Sequence, residues 1–213
     1  MTGGDVPLKR RLWAGAEPLV LASTSGARRA LLVNAGLDAE VLGASIDERA
    51  FERRYFANNG SLADLAARLA EAKAHAVSAL RPEAYCLGAD QTLTAGDTLL
   101  HKPRSLDEAA ETLAVLSGRT HRLTSAFCIA RAGETLVVET DRADLQMRAF
   151  DRQTIARYLD LAGPAVLSSV GAYQIEGLGV NLFDHFEGDF TTILGIPMLK
   201  LLAWLRRERL VSL

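Results

Sequence analysis

The sequence predicts an α/β protein: a mixed, twisted sheet with flanking helices, arranged as two lobes around a central cleft. Three observations lead there. Short apolar runs alternate with segments of helical period through the first half of the chain. Two long strand-like stretches around a turn occupy the centre and add antiparallel pairing to that alternation. The length, 213 residues, is long for one average domain and short for two, which suits one domain folded as two lobes.

Residues 1–17 read as a loosely ordered N-terminal extension and residues 18–213 as the single domain. Leu19-Val20-Leu21-Ala22 is a short apolar strand. After the small residues Ser23 to Gly26, Ala27 to Ala35 has helical spacing and Gly36 stops it. Glu40 to Gly43 reads as a second strand. From Ser61 to Leu80 the apolar residues Leu62, Leu65, Ala66, Leu69 and Ala72 recur at the helical period. Tyr85 to Ala89 is a compact strand ending at Asp90, followed by a hairpin-like segment turning at Ala95-Gly96-Asp97. Ser105-Leu106-Asp107-Glu108 is a capping box that opens a helix ending at Gly118. Residues 119–130 and 135–147 are two long strands joined at Ala132-Gly133, and Asp151 to Leu161 is helical. The glycine-rich stretch 171–195 is loop and short strand. Pro197 opens a last helix whose Met198, Leu201, Leu202 and Leu205 share one face.

Composition narrows the function. A formal charge of -2 supplies no basic field for polymeric nucleic acid, so an anionic ligand needs a local cluster of cations. Arginine outnumbers lysine twenty to four, which singles out Lys9, Lys73, Lys102 and Lys200. Cys86 and Cys128 each sit in an apolar run and read as buried, reduced thiols, as suits a cytoplasmic protein. Leu8 to Trp13 imitates the start of a secretory signal, but Glu17 and Pro18 interrupt the apolar stretch behind it. No apolar run reaches the length of a membrane span, so no membrane partner is expected.

Five segments can carry chemistry. Ser23-Thr24-Ser25-Gly26 lies between a strand and a helix start, where free backbone N–H groups and the helix dipole favour an anion. Ser23 and Ser25 add hydroxyls, and Arg28 can offer two parallel N–H bonds to a phosphate. An ordinary helix cap with surface arginines fits the same residues, and the Gly-Lys-Ser/Thr end of a Walker loop is missing. Asp47-Glu48 reads as a pair of loop acids, either solvated or placed to hold Mg²⁺. Asp90 stands at the carboxyl end of a strand, where sites of open α/β sheets gather, beside Gln91, whose amide both donates and accepts. Lys102, fixed by Pro103, is a compact charge suited to phosphate, whereas Lys73 on the long helix is equally an ordinary surface lysine. Glu176, between Ile175 and Gly177, lies in a loop whose glycines permit close approach of a ligand. No Gly-x-Ser-x-Gly elbow supports a Ser-His-Asp triad from Ser168 and His185.

The order of these segments is more specific than any one of them. Ala22-Ser23-Thr24-Ser25 with Arg28 and Leu31-Leu32, then Asp47-Glu48, Lys73, Gly88-Ala89-Asp90, Lys102-Pro103 and Leu116-Ser117-Gly118-Arg119-Thr120-His121, resembles the Maf family. Gly171-Ala172-Tyr173, Glu176-Gly177, Glu187-Gly188-Asp189 and Leu194-Gly195-Ile196-Pro197 continue the match, so that it covers residues 19–205. The resemblance implies a nucleoside triphosphate pyrophosphatase that releases the monophosphate and pyrophosphate, with a fold similar to inosine triphosphate pyrophosphatases. It implies Asp90 as general base, phosphate contacts from Ser23, Arg28, Lys73 and Lys102, and a divalent metal, Mg²⁺ or Mn²⁺, near Glu48 and Asp90. It also implies a homodimer, and leaves a nucleotide-binding regulator of cell division as the alternative to an enzyme.

Asp90-Gln91 and Glu176-Gly177, with Ser23-Thr24-Ser25 and Arg28 to Leu32, resemble the family's 7-methyl-GTP group. The group acting on dTTP and UTP has Asp-Thr and Gln-Gly at the corresponding places. A carboxylate at position 176 can accept from the N1–H and exocyclic amine of guanine and offset the charge of a methylated base. Gly26-Ala27 departs from the Pro-Trp of the first group and removes an indole that would stack on a cationic base. A dTTP/UTP or broad preference therefore stays open beside 7-methyl-GTP, with Gln91 and Glu176 as the substrate-reading residues.

Overall fold

A computed structural model describes residues 12–213. The extension expected over residues 1–17 lies outside the described residues for 1–11. From Leu12 onward the chain is tied to its own C-terminus. The Ala14 amide donates to the Leu210 carbonyl at 2.9 Å, the Ser212 amide donates to Leu12, and Trp13 meets Tyr85 edge-on at 5.6 Å.

The described strands form one seven-stranded mixed sheet: β1 (Leu19–Leu21), β2 (Glu40–Val41), β3 (Tyr85–Ala95), β4 (Thr98–Leu100), β5 (Thr120–Arg131), β6 (Glu134–Met147) and β7 (Phe183–Glu187). The order is β2-β1-β3-β5-β6-β7, with β4 paired to the far end of β3. Only β1 pairs in parallel, with β2 and β3, and every other pair is antiparallel. The helices are α1 (Gly26–Asn34), α2 (Glu48–Ala57), α3 (Leu65–Ser78), α4 (Leu106–Leu116), α5 (Arg152–Ala162), α6 (Phe190–Ile193) and α7 (Met198–Arg207). None is long and apolar enough to cross a membrane.

Strand alternation sorts the core. Leu19, Leu21, Leu87, Ala89, Phe127 and Ile129 point to one face and pack with Leu32 of α1 and Leu201 and Leu205 of α7. Their neighbours Ala126, Cys128 and Ala130 point to the other face, against Ala66, Ala70 and Ala74 of α3. At the far end, Leu93, Leu123 and Leu145 pack with Leu113 and Leu116 of α4 and Ile155 and Leu159 of α5. The long strands β3, β5 and β6 thus run between two separately packed lobes. Both thiols are free and buried on the α3 side, and burial raises Cys86 to about 11 and Cys128 to about 12.

Several local expectations change. Asp47-Glu48 is not in a loop: Asp47 caps α2 by accepting from the Ala50 amide, and Glu48 is the first helical residue. That helix buries no residue fully, and five of its ten residues are charged, so its apolar stripe is confined to a few residues such as Phe51 and Tyr55. Strand β3 does not end at Asp90 but runs on to Ala95, because Asp90 to Thr94 pair with Arg122 to Ala126 of β5. At the capping box, Ser105 accepts from the Glu108 amide as expected, while the Glu108 carboxylate takes the Arg104 amide instead.

Candidate active site

The cleft exists because one edge of β3 is left without a partner. Strand β1 stops at the pair Leu21–Leu87, and β4 begins only at Leu93–Leu100. Between them, residues 88–92 are flanked by β5 alone, and a cleft of about 640 Å³ opens on that edge. Both faces of β3 reach it, so the adjacent Asp90 and Gln91 line it together despite pointing to opposite sides of the sheet.

The loop after β1 forms one wall. Ser25 caps α1 by accepting from the Arg28 amide, and Gly26 and Ala27 of its first turn, whose N–H groups have no partner within the helix, line the cleft. Arg28 is held from two sides: its Nη1 donates to Ser23 Oγ at 3.3 Å and its Nε to the Gly195 carbonyl at 3.1 Å. Burial lowers the Arg28 pKa, and the opposing charges of Asp90 and Glu48 resist that shift.

Helix α3 supplies Lys73, one of the few buried cations. Lys73 is 7% exposed and Asp90 6%, and the ammonium donates to Asp90 Oδ1. The same Nζ lies 2.6 Å from Glu48 Oε1, at the start of α2. Burial pushes the Glu48 pKa up, but Lys73, Lys102 and Arg28 outweigh it and hold the carboxylate below its usual range. The Glu48 side chain is half exposed, so the buried pair is Lys73–Asp90, and removing one member of such a pair typically costs about 3–5 kcal/mol. Lys102 stands at the mouth of the cleft and makes no ion pair or hydrogen bond among the described residues. Partial burial and the repulsion of Arg28 and Lys73 lower its pKa, with Glu48 and Asp90 opposing.

Gln91 has a fixed orientation. Its Nε2 donates to the Thr192 carbonyl at 3.0 Å, the Ile193 carbonyl at 2.9 Å and Ser125 Oγ at 2.9 Å. Two of these partners can only accept, so the amide nitrogen must face them. The carbonyl oxygen makes no hydrogen bond among the described residues, so the group that Gln91 leaves free is an acceptor, not a donor. Glu176 also lines the cleft, in a loop anchored by Tyr173, whose hydroxyl meets buried His121 Nε2 at 2.7 Å.

Of the residues picked from the sequence, Ser23, Ser25, Arg28, Glu48, Lys73, Asp90, Gln91, Lys102 and Glu176 border this one cleft, whereas Asp47 does not and serves as the cap of α2. A carboxylate at the centre of a ring of cations suits a polyanion whose reaction needs a proton acceptor. A family model described as Maf-like protein matches residues 18–208.

The chain belongs to the Maf family.

Similar proteins cover nearly its whole length. A protein of Rhodopseudomonas palustris (strain BisB18) named nucleoside triphosphate pyrophosphatase is 48% identical over 201 residues, 94% of this chain and 98% of that protein. Two proteins named 7-methyl-GTP pyrophosphatase are similarly near. One, from Mesorhizobium japonicum, is 50% identical over 190 residues, 89% of this chain and 96% of that protein. The other, from Brucella abortus, is 47% identical over 194 residues, 91% of this chain and 98% of that protein.

The Maf cleft also holds residues that the sequence did not single out. Glu52 lines it one turn after Glu48, within 3.9 Å of His101 Nε2 and 3.6 Å of Arg49. Burial raises its pKa, Arg49 opposes, and the Asp90 and Glu48 charges raise it further. The spacing of four from Glu48 would have found it, had residues 48–57 been read as a helix. Ser125 and the carbonyls of Thr192 and Ile193 give no sequence signal, since they act through where the backbone passes.

Proposed function

We propose that this chain hydrolyses a nucleoside triphosphate to the monophosphate and pyrophosphate, with Asp90 as general base. The observation that carries the proposal is the placement of Asp90: a buried carboxylate on the free edge of β3, ringed by Arg28, Lys73 and Lys102. Phosphoryl transfer depends mainly on positioning and charge neutralisation, and these cations with Ser23 and the α1 amides meet that need. Arg28, fixed by Ser23 and Gly195, holds phosphate oxygens in a set direction, while the flexible Lys73 and Lys102 follow the charge. Asp90 accepts the proton of the water that attacks the α-phosphorus, and pyrophosphate leaves toward the cations.

A divalent metal, Mg²⁺ or Mn²⁺, fits the donor set. Glu48 and Asp90 are hard oxygen donors that already converge on one cationic point, the Lys73 ammonium. Bound there with phosphate oxygens, the metal would neutralise charge and polarise the reacting phosphate.

For the base we infer a modified purine such as 7-methyl-GTP. Gln91 offers only an acceptor, Glu176 is a carboxylate, and a guanine edge presents adjacent donors to both. The names of the Mesorhizobium and Brucella relatives point the same way. A pyrophosphate-release screen over ordinary and modified nucleoside triphosphates, with Mg²⁺ and with Mn²⁺, tests both parts. Preference for 7-methyl-GTP supports them; dTTP or UTP preference, or equal turnover of every base, overturns the base assignment alone. Tight nucleotide binding with no turnover overturns the enzyme.

A further inference from the structure

We propose that Lys73 is the resident cation of the reaction centre, and that it yields this place only when nucleotide and divalent metal arrive together. The inference rests on the metal-dependent reaction proposed above and adds an order of binding to it.

The geometry is specific. One ammonium bridges both carboxylates, at 2.6 Å from Glu48 Oε1 and in direct contact with Asp90 Oδ1. It occupies the point on which their oxygens converge, so a metal ion and the ammonium cannot share it. Lys73 and Asp90 are both buried, and neither can be stripped of its counter-charge without replacement. Among the described residues no group of three or more His, Cys, Asp or Glu side chains could hold a metal ion. Glu48 and Asp90 alone leave most of the coordination of a hard dication to other oxygens.

The charge balance acts in the same direction. Arg28 and Lys102 join Lys73 around Glu48 and Asp90, with Glu52 and Arg49 as a further pair beside them, so at the two carboxylates themselves a bare dication meets three cations against two anions. A triphosphate reverses that sign. Its oxygens draw the Lys73 ammonium outward on its flexible stem, free Glu48 and Asp90, and supply the missing metal ligands. The same movement releases Asp90 from the ammonium, so the base becomes available only when substrate is in place.

The test is Mn²⁺ binding followed by the electron paramagnetic resonance signal of the free ion, with and without a non-hydrolysable α,β-methylene nucleoside triphosphate, after subtracting the Mn²⁺ that the analogue binds in the absence of protein. For wild type we expect Mn²⁺ affinity to rise about 10- to 100-fold on adding the analogue, within the ordinary range of coupling between two ligands. By linkage, Mn²⁺ must raise affinity for the analogue by the same factor. Lys73→Met, with the resident cation gone, should bind Mn²⁺ without nucleotide and gain thermal stability from it, whereas wild type should not. Lys73→Gln serves the same comparison should Lys73→Met fail to fold. Equal Mn²⁺ affinity of wild type with and without analogue overturns the inference, as does a folded Lys73 variant that binds Mn²⁺ no better than wild type. Hydrolysis undiminished by a chelator would instead overturn the metal dependence itself.

Discussion

Gly88 and Ala70 touch across the interface between strand β3 and helix α3. A β-carbon on Gly88 would overlap the Ala70 carbonyl oxygen and lie 2.6 Å from the Ala74 nitrogen. The missing side chain lets the alanine face of α3 sit directly on the strand, and that approach brings Lys73 down to Asp90, two residues beyond Gly88 on the same face. Gly88→Ala is therefore expected to push the helix outward and cost about 1–3 kcal/mol as an overpacking substitution. Chemical denaturation measures the cost, and a fully stable variant with unchanged turnover would refute the role given to this contact.

Loss of the proposed base should show in turnover more than in binding. Asp90→Asn is expected to lower kcat by about 10²- to 10⁴-fold, the usual contribution of a general base. Wild-type pyrophosphate release from this variant would remove Asp90 from the reaction.

Arg28→Lys keeps the charge but loses the two-sided anchoring to Ser23 and Gly195. We expect a rise in KM of about tenfold, roughly the loss of one charge-assisted hydrogen bond. An unchanged KM would mean that the charge alone matters there.

The buried His121 ties stability to pH. Burial lowers its pKa from 6.5 to about 4, so as pH falls the unfolded chain takes up this proton before the folded one does. The contribution is complete above pH 6.5 and is lost as pH falls toward 4, amounting to about 3 kcal/mol at most. Denaturation of wild type and His121→Gln at pH 7 and pH 4.5 isolates it from other acid-titrating groups. The variant should show the smaller pH dependence, and identical slopes would contradict the assignment.

Helix α2 buries no residue fully, unlike α3, which buries eight including Lys73. Its amides should exchange with solvent faster than those of α3, and slow further when nucleotide and metal bind near Glu48. Equal protection of the two helices in hydrogen exchange would count against this difference.

The sequence is most legible where burial and period coincide. The β5–β6 hairpin shows in its β-rich runs around Ala132-Gly133, both at positive φ in the turn, and α7 shows in the spacing of Met198, Leu201 and Leu205. It is least legible where polar contacts set the structure. Helix α2 lacks a buried face, and the continuation of β3 past Asp90 depends on β5, whose pairing is distant in sequence. The site residues stand out as an ordered set, yet the chain alone does not reveal that Lys73 bridges two acids or that Gln91 has already committed its donors. Both facts need neighbours 17 to 102 positions away.

The unpartnered stretch of β3 has a consequence for how such proteins diverge. Consecutive residues of one strand face separate layers, Asp90 toward α3 and Gln91 toward the Thr192–Ile193 carbonyls, yet both open into the same space. On the proposed activity, a lineage can exchange the letter it reads at one position while its neighbour inherits the reacting group in an undisturbed setting. Adjacent codons can then evolve under different pressures, and a designer can retune the choice of nucleotide without rebuilding the machinery that cuts it.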